Sequence, residues 1–65
     1  MKELTEHIEA LRRYALLLTR SRDRAEDLVQ ECLVRAIAAA DRWRPGVSLR
    51  PWLFRILHNV HVSQL

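Results

Sequence analysis

With 65 residues the chain has room for one domain and only a small core. A hydrophobic content of 49% is too high for a disordered tail, and a single glycine is too few for a turn-rich β-sandwich, so composition points to an all-α fold. The formal charge of +3 is unevenly laid out: up to Glu9 there are three acids against Lys2 alone, whereas Asp41 is followed by Arg42, Arg44, Arg50 and Arg55 and by no acid. One end of the molecule is therefore expected to be positive, either as a surface that follows phosphates or as a solvated arginine-rich face.

A domain of this size ordinarily gains stability from a disulfide, a metal or a partner. The lone Cys32 forms no intramolecular disulfide, and no cysteine or histidine cluster has zinc-ligand spacing, which leaves a partner. No metal or cofactor is expected. Apolar runs such as Ala36 to Ala40 fall far short of the roughly 20 residues a membrane span needs, and Met1-Lys2-Glu3 opens no apolar signal segment. The expectation is a cytoplasmic, reduced protein without membrane insertion.

In chain order, Leu4, Ile8, Leu11, Ala15 and Leu18 recur at steps of four and three, predicting a first amphipathic helix from about Leu4 to Thr19, with Leu16 and Leu17 widening its apolar seam. Ser21-Arg22-Asp23 interrupts the pattern. Asp23 with Glu26 resembles a capping box, so a second helix is expected from about residue 24 to Trp43, ended by Arg44-Pro45-Gly46. Its buried stripe is Ala25, Leu28, Val29, Cys32, Ala36 and Ala39-Ala40, the small residues favouring close approach to a neighbour. Ser48 is a candidate N-cap for a third helix from about Leu49 to Ser63, with Pro51 in the first turn. Leu49, Trp52, Leu53, Ile56 and Val60 form its apolar face, and Arg50, Arg55, His58, Asn59 and His61 lie on the other. Three such helices with short connections make a small three-helix bundle, a single domain over residues 1–65.

The segment Ala25-Glu26-Asp27-Leu28-Val29-Gln30-Glu31, followed by Arg35-Ala36 and by Trp43 before a turn, resembles the second conserved helix of region 2 in bacterial extracytoplasmic-function (ECF) sigma factors of the sigma-70 family. Leu49-Arg50-Pro51-Trp52-Leu53-Phe54-Arg55-Ile56-Leu57-His58-Asn59-Val60 resembles the third helix. Tyr14-Ala15-Leu16 with Leu18-Thr19-Arg20-Ser21 resembles the end of the first. The three strings stand in the family's order and cover nearly the whole chain. The second helical domain that reads the −35 element in family members has no counterpart in these residues.

The resemblance implies a transcription initiation factor domain rather than an enzyme. Its second helix would bind core RNA polymerase through the clamp helices of the largest subunit, a role that falls by position on Asp27, Gln30, Glu31 and Val34. Its third helix and the preceding loop would recognise and melt the promoter −10 element and hold the single-stranded non-template strand, through Trp43, Arg44, Arg50, Arg55, His58, Asn59 and His61. An anti-sigma factor covering these surfaces is a further partner the resemblance implies. The residues alone leave two other readings open: a helix-turn-helix binder of duplex DNA and a helical protein-docking module. The first requires a short recognition helix with a polar N-terminus, and Leu49-Arg50-Pro51-Trp52-Leu53 is largely apolar. Catalysis finds little footing: His7, His58 and His61 lack metal-site spacing, Cys32 falls on a buried stripe, and there is no glycine-rich phosphate loop.

Overall fold

The computed structural model describes residues 5–44, 46 and 48–65. Among them are three α-helices, α1 (Ile8–Thr19), α2 (Arg22–Ala38) and α3 (Leu49–Ser63), with a single 3₁₀ turn (Ala40–Arg42) between α2 and α3. The described residues contain no strand, and the expected small all-α bundle is what forms.

Each helix contributes one stripe to a common core. Leu11 and Ala15 of α1, Leu28 and Cys32 of α2, and Leu53 and Leu57 of α3 are wholly inaccessible. Ala25, Val29, Ala36, Leu49 and Val60 complete the buried set. Burying a leucine fully contributes about 1.5–3 kcal/mol, so these few side chains are the main force assembling helices that would be marginal alone. Tyr14 of α1 stacks on Phe54 of α3, ring centroids 5.2 Å apart. The Cys32 thiol donates to the Leu53 carbonyl at 3.5 Å and fastens α2 to α3. Both tryptophans are half-buried and pack against the core.

The joint between α1 and α2 differs from the expected one. The N-cap of α2 is Ser21, whose hydroxyl accepts the Arg24 N–H at 3.3 Å, and Asp23 lies inside the first turn. The reason is upstream: the Thr19 hydroxyl donates to the Ala15 carbonyl at 2.9 Å and accepts the Ser21 N–H at 3.3 Å, which closes α1 and sets Ser21 at the start of the next helix. Arg20 turns the chain between them in the left-handed region (φ 54), its N–H bonded to Leu16 O at 2.8 Å.

Other boundaries and burials also depart from expectation. The predicted start of the first helix at Leu4 lies outside the described residues, and Glu6 and His7 form a turn ahead of α1. α2 ends at Ala38 rather than near Trp43: beyond it the chain tightens into the 3₁₀ turn, where Arg42 N–H is bonded to Ala39 O and Trp43 N–H to Ala40 O in place of α-helical partners. Leu16 and Leu17, expected to widen the seam of α1, are 49% and 76% exposed, and Ala39 and Ala40, expected on the buried stripe of α2, lie past its end and are only half-buried. α3 has the expected bounds with Ser48 at its N-cap position, although the Ser48 side chain makes no capping bond.

Candidate functional site

Along α2, the residues opposite the buried stripe form a continuous exposed strip. Asp27, Gln30 and Val34 lie at steps of three and four and are all exposed, and Ile37, which sequence reasoning had grouped with the small residues before the turn, extends the strip by another step. Its signal was available: an isoleucine three residues beyond Val34 shares that face of any helix. Val34 and Ile37 are 61% and 58% exposed, so two aliphatic side chains sit in water between polar neighbours. Glu31 lies at the edge of the strip, where its carboxylate accepts from the Arg35 guanidinium at 2.9 Å. Among the described residues Asp27 and Gln30 carry no such bond. The strip thus offers a carboxylate and an amide with open hydrogen-bonding capacity around an aliphatic centre.

The seven residues assigned to nucleic acid are not all brought together. Arg55, His58 and Asn59 are exposed on the face of α3 opposite its buried stripe, together with Pro51. Arg55 also lines a shallow depression with Ser48, Pro51 and Trp52. Arg44 is exposed at the end of the turn that α3 follows, and half-buried Trp43 terminates the 3₁₀ turn. Pro45 and Val47 of the predicted loop lie outside the described residues.

Arg50 and His61 fall on a different flank of α3, because 100° per residue carries them about a third of a turn or more away from Arg55. The Arg50 guanidinium donates to His7 Nδ1 at 3.2 Å, which ties the first turn of α3 to the start of α1. His61 lines a second depression with Thr19, Arg24, Asp27 and Gln64, between the far end of α3 and the first turns of α2. Sequence periodicity had placed both residues simply opposite the apolar face. The structure places Arg55, His58 and Asn59 on one face of α3, Trp43 and Arg44 at the turn before it, and Arg50 and His61 at helix junctions.

Among the described residues no group of three His, Cys, Asp or Glu side chains is placed to hold a metal ion. Burial pushes the Cys32 thiol up to about 11, so it stays protonated at neutral pH. No helix among the described residues is long and apolar enough to cross a membrane.

Comparison with known proteins bears on this arrangement. The sequence model of the family described as the sigma2 domain of PhyR matches residues 4–58, most of the chain. The chain belongs to the sigma2 domain family. Curated relatives agree with that assignment. The sigma2 domain is 49% identical over 56 residues to the ECF RNA polymerase sigma factor EcfG of Rhodopseudomonas palustris, covering 86% of this chain and 31% of that protein. It is 41% identical over 63 residues to the ECF RNA polymerase sigma factor SigL of Mycobacterium tuberculosis, covering 91% and 34%. With SigG of the same organism, the values are 40% over 67 residues, 97% and 18%. The sigma2 domain therefore spans about a third or less of the length of these relatives. No solved structure matches it.

Proposed function

We propose that this sigma2 domain works in transcription initiation as a two-faced adaptor that docks on core RNA polymerase and holds opened promoter DNA, making and breaking no bonds itself. The observation that carries the reading is the exposed acid, amide and aliphatic strip of α2 in a chain of the sigma2 family. Asp27, Gln30 and Glu31 would meet basic and polar groups on the clamp helices of the largest subunit, and Val34 with Ile37 would supply the desolvated centre of the contact. The names of the relatives, all RNA polymerase sigma factors, support a polymerase partner.

The second face is the outward side of α3 with the turn before it. Single-stranded DNA offers a phosphate and a ring face at every nucleotide, and it is held by cations interleaved with aromatic platforms. Arg44 and Arg55 would take phosphates of the non-template strand at the −10 element, His58 and Asn59 its backbone or base edges, and Trp43 a base face. Arg50 and His61 would join only after leaving His7 and the Asp27 depression. A helix-turn-helix reading is disfavoured: Leu49 and Leu53, in the first turns of α3, are turned into the core rather than toward a groove. An anti-sigma factor would act by covering either face, and the place of action would be the cytoplasm.

The test is a titration of the domain with a clamp-helix fragment of the polymerase largest subunit, comparing the wild type with Gln30→Ala/Glu31→Ala and checking the fold of both by circular dichroism. A tenfold loss of affinity, about 1.4 kcal/mol, is expected from the double variant. A folded wild-type domain that fails to bind the fragment would overturn the docking assignment.

A further inference from the structure

The outward face of α1 is used by neither surface above. Arg13, Leu16 and Leu17 are spaced i, i+3 and i+4, so they share the side of α1 opposite Leu11 and Ala15, and Arg20 follows at the C-cap of the same helix. All four are exposed, Leu16 by 49% and Leu17 by 76%. Two large aliphatic side chains thus stand in water between two guanidinium groups. Neighbouring arginines are used differently: Arg12 is held by Glu9 at 3.0 Å and Glu26 at 3.2 Å, whereas Arg13 and Arg20 have no ion pair among the described residues.

Arg20 supplies an independent observation. It is the only non-glycine residue with positive φ among the described residues, at a helix C-cap where glycine fits without strain. A charged side chain is thus kept at a position whose backbone favours a residue with none. Arg22 continues the positive charge into the first turn of α2, the end where the helix dipole disfavours a cation.

We propose that this face is a docking site for an acidic amphipathic helix of a partner protein, with Leu16 and Leu17 meeting its apolar stripe and Arg13 and Arg20 pairing with carboxylates on either side. The two arginines are about 10 Å apart along the axis at 1.5 Å per residue, which suits acids seven positions apart on an aligned partner helix. Charge argues against the other occupants. A second copy of the domain would set arginine against arginine across the leucine pair, in parallel or antiparallel register. Nucleic acid would use the cations and leave the leucines in water. The site is distinct from the strip of α2 and the outer face of α3, and it stands whether or not those assignments hold.

The experiment is a selection from a displayed library of helix-biased peptides on the folded 65-residue chain, counter-selected against the Arg13→Glu/Arg20→Glu variant. Recovered peptides are expected to carry acids flanking leucine-type residues and to lose at least tenfold in affinity on the double variant. They should regain it there when their acids are replaced by lysine. Leu17→Ala is expected to weaken them severalfold. Arg20→Gly, which removes the charge and the left-handed strain together, is expected to weaken peptide binding without lowering the melting temperature, an outcome a purely structural role for Arg20 does not give. The proposal is overturned if no peptide survives counter-selection, or if the survivors are not acidic. It is also overturned if oligo(dT) binds through Arg13 and Arg20 with no dependence on Leu17, or if sedimentation shows self-association that Leu17→Asp abolishes.

Discussion

α2 and α3 lie against each other and feed the same core, yet their outward sides differ in charge. α2 has four acids, Asp23, Glu26, Asp27 and Glu31, against three arginines, Arg22, Arg24 and Arg35, and two of the acids are already paired, Glu26 with Arg12 and Glu31 with Arg35. α3 has Arg50 and Arg55 and no acid at all. The exposed aliphatics differ too: Val34 and Ile37 are interleaved with the polar strip of α2, while on α3 the outward group is Arg55, His58 and Asn59. One helix is thus equipped for a partner that buries surface and completes a few hydrogen bonds. The other is equipped for a partner that brings its own negative charge. Because the two faces are held by one small core, whatever damages the core must affect both, and whatever touches one face alone must spare the other.

The largest effect is expected where the faces share support. Leu53 is fully buried, and its carbonyl accepts the Cys32 thiol. Leu53→Ala should cost about 2–5 kcal/mol, enough to unfold much of a domain this small and to abolish binding at both faces together. Thermal unfolding followed by circular dichroism would measure it, and loss at one face only would show that the helices are not energetically joined. Cys32 probes the same junction by pH. Its folded value, about 11, lies above the unfolded value near 9, so the unfolded chain releases its proton first. The stabilisation is therefore fully present below pH 9 and is lost as pH rises through 11, by about 1.4 kcal/mol per unit. Denaturant titrations between pH 8 and 11 should show that fall in the wild type and a smaller one in Cys32→Ala.

Smaller changes should separate the faces. Arg55→Glu is expected to weaken a single-stranded −10 oligonucleotide at least tenfold at low salt and to reduce the log–log salt slope by about 0.7 for the lost phosphate contact. Binding of the clamp fragment should be unaffected. Val34→Ala/Ile37→Ala should do the reverse, weakening clamp binding severalfold with little salt dependence, and should not lower stability because both residues are exposed in the free domain. A variant that weakens both ligands equally while remaining folded would contradict the division of labour.

How much of this could be read without coordinates depended on whether periodicity alone decided the point. The bounds of α3 were legible because a clear apolar repeat is preceded by Ser48 and has Pro51 in its first turn. The buried residues of α2 were legible for the same reason. Leu57, which the repeat of Leu49, Trp52, Leu53, Ile56 and Val60 leaves out, is fully buried four residues after Leu53 on the same stripe. The exposure of Leu17 could not be read, because a leucine flanking a seam is covered only if a neighbouring helix reaches it. The strip of α2 followed from spacing and resemblance together. Its extension to Ile37, and the separation of Arg50 and His61 from Arg55, depend on helical phase and on which junction each side chain meets. The end of α2 is not legible because Ala39 to Arg42 suit an α-helix by propensity, and the change to three-residue hydrogen bonding at Ala39 and Ala40 leaves no mark in the sequence.

The smallest effect concerns the joint between α1 and α2, where two candidate caps stand two residues apart. Ser21→Ala removes the hydroxyl that accepts the Arg24 N–H and should cost about 1 kcal/mol. Asp23→Ala removes only a favourable charge near the helix N-terminus and should cost about 0.3–0.5 kcal/mol, a contribution that salt screens. Paired urea titrations at low and high ionic strength distinguish them: the Ser21 loss should persist in salt and the Asp23 loss should shrink. If the order were reversed, Asp23 would be the working cap. The Thr19 bonds would then not set where α2 begins, while the outward phase of Asp27 and Gln30, fixed by the buried Leu28, Val29 and Cys32, would stand.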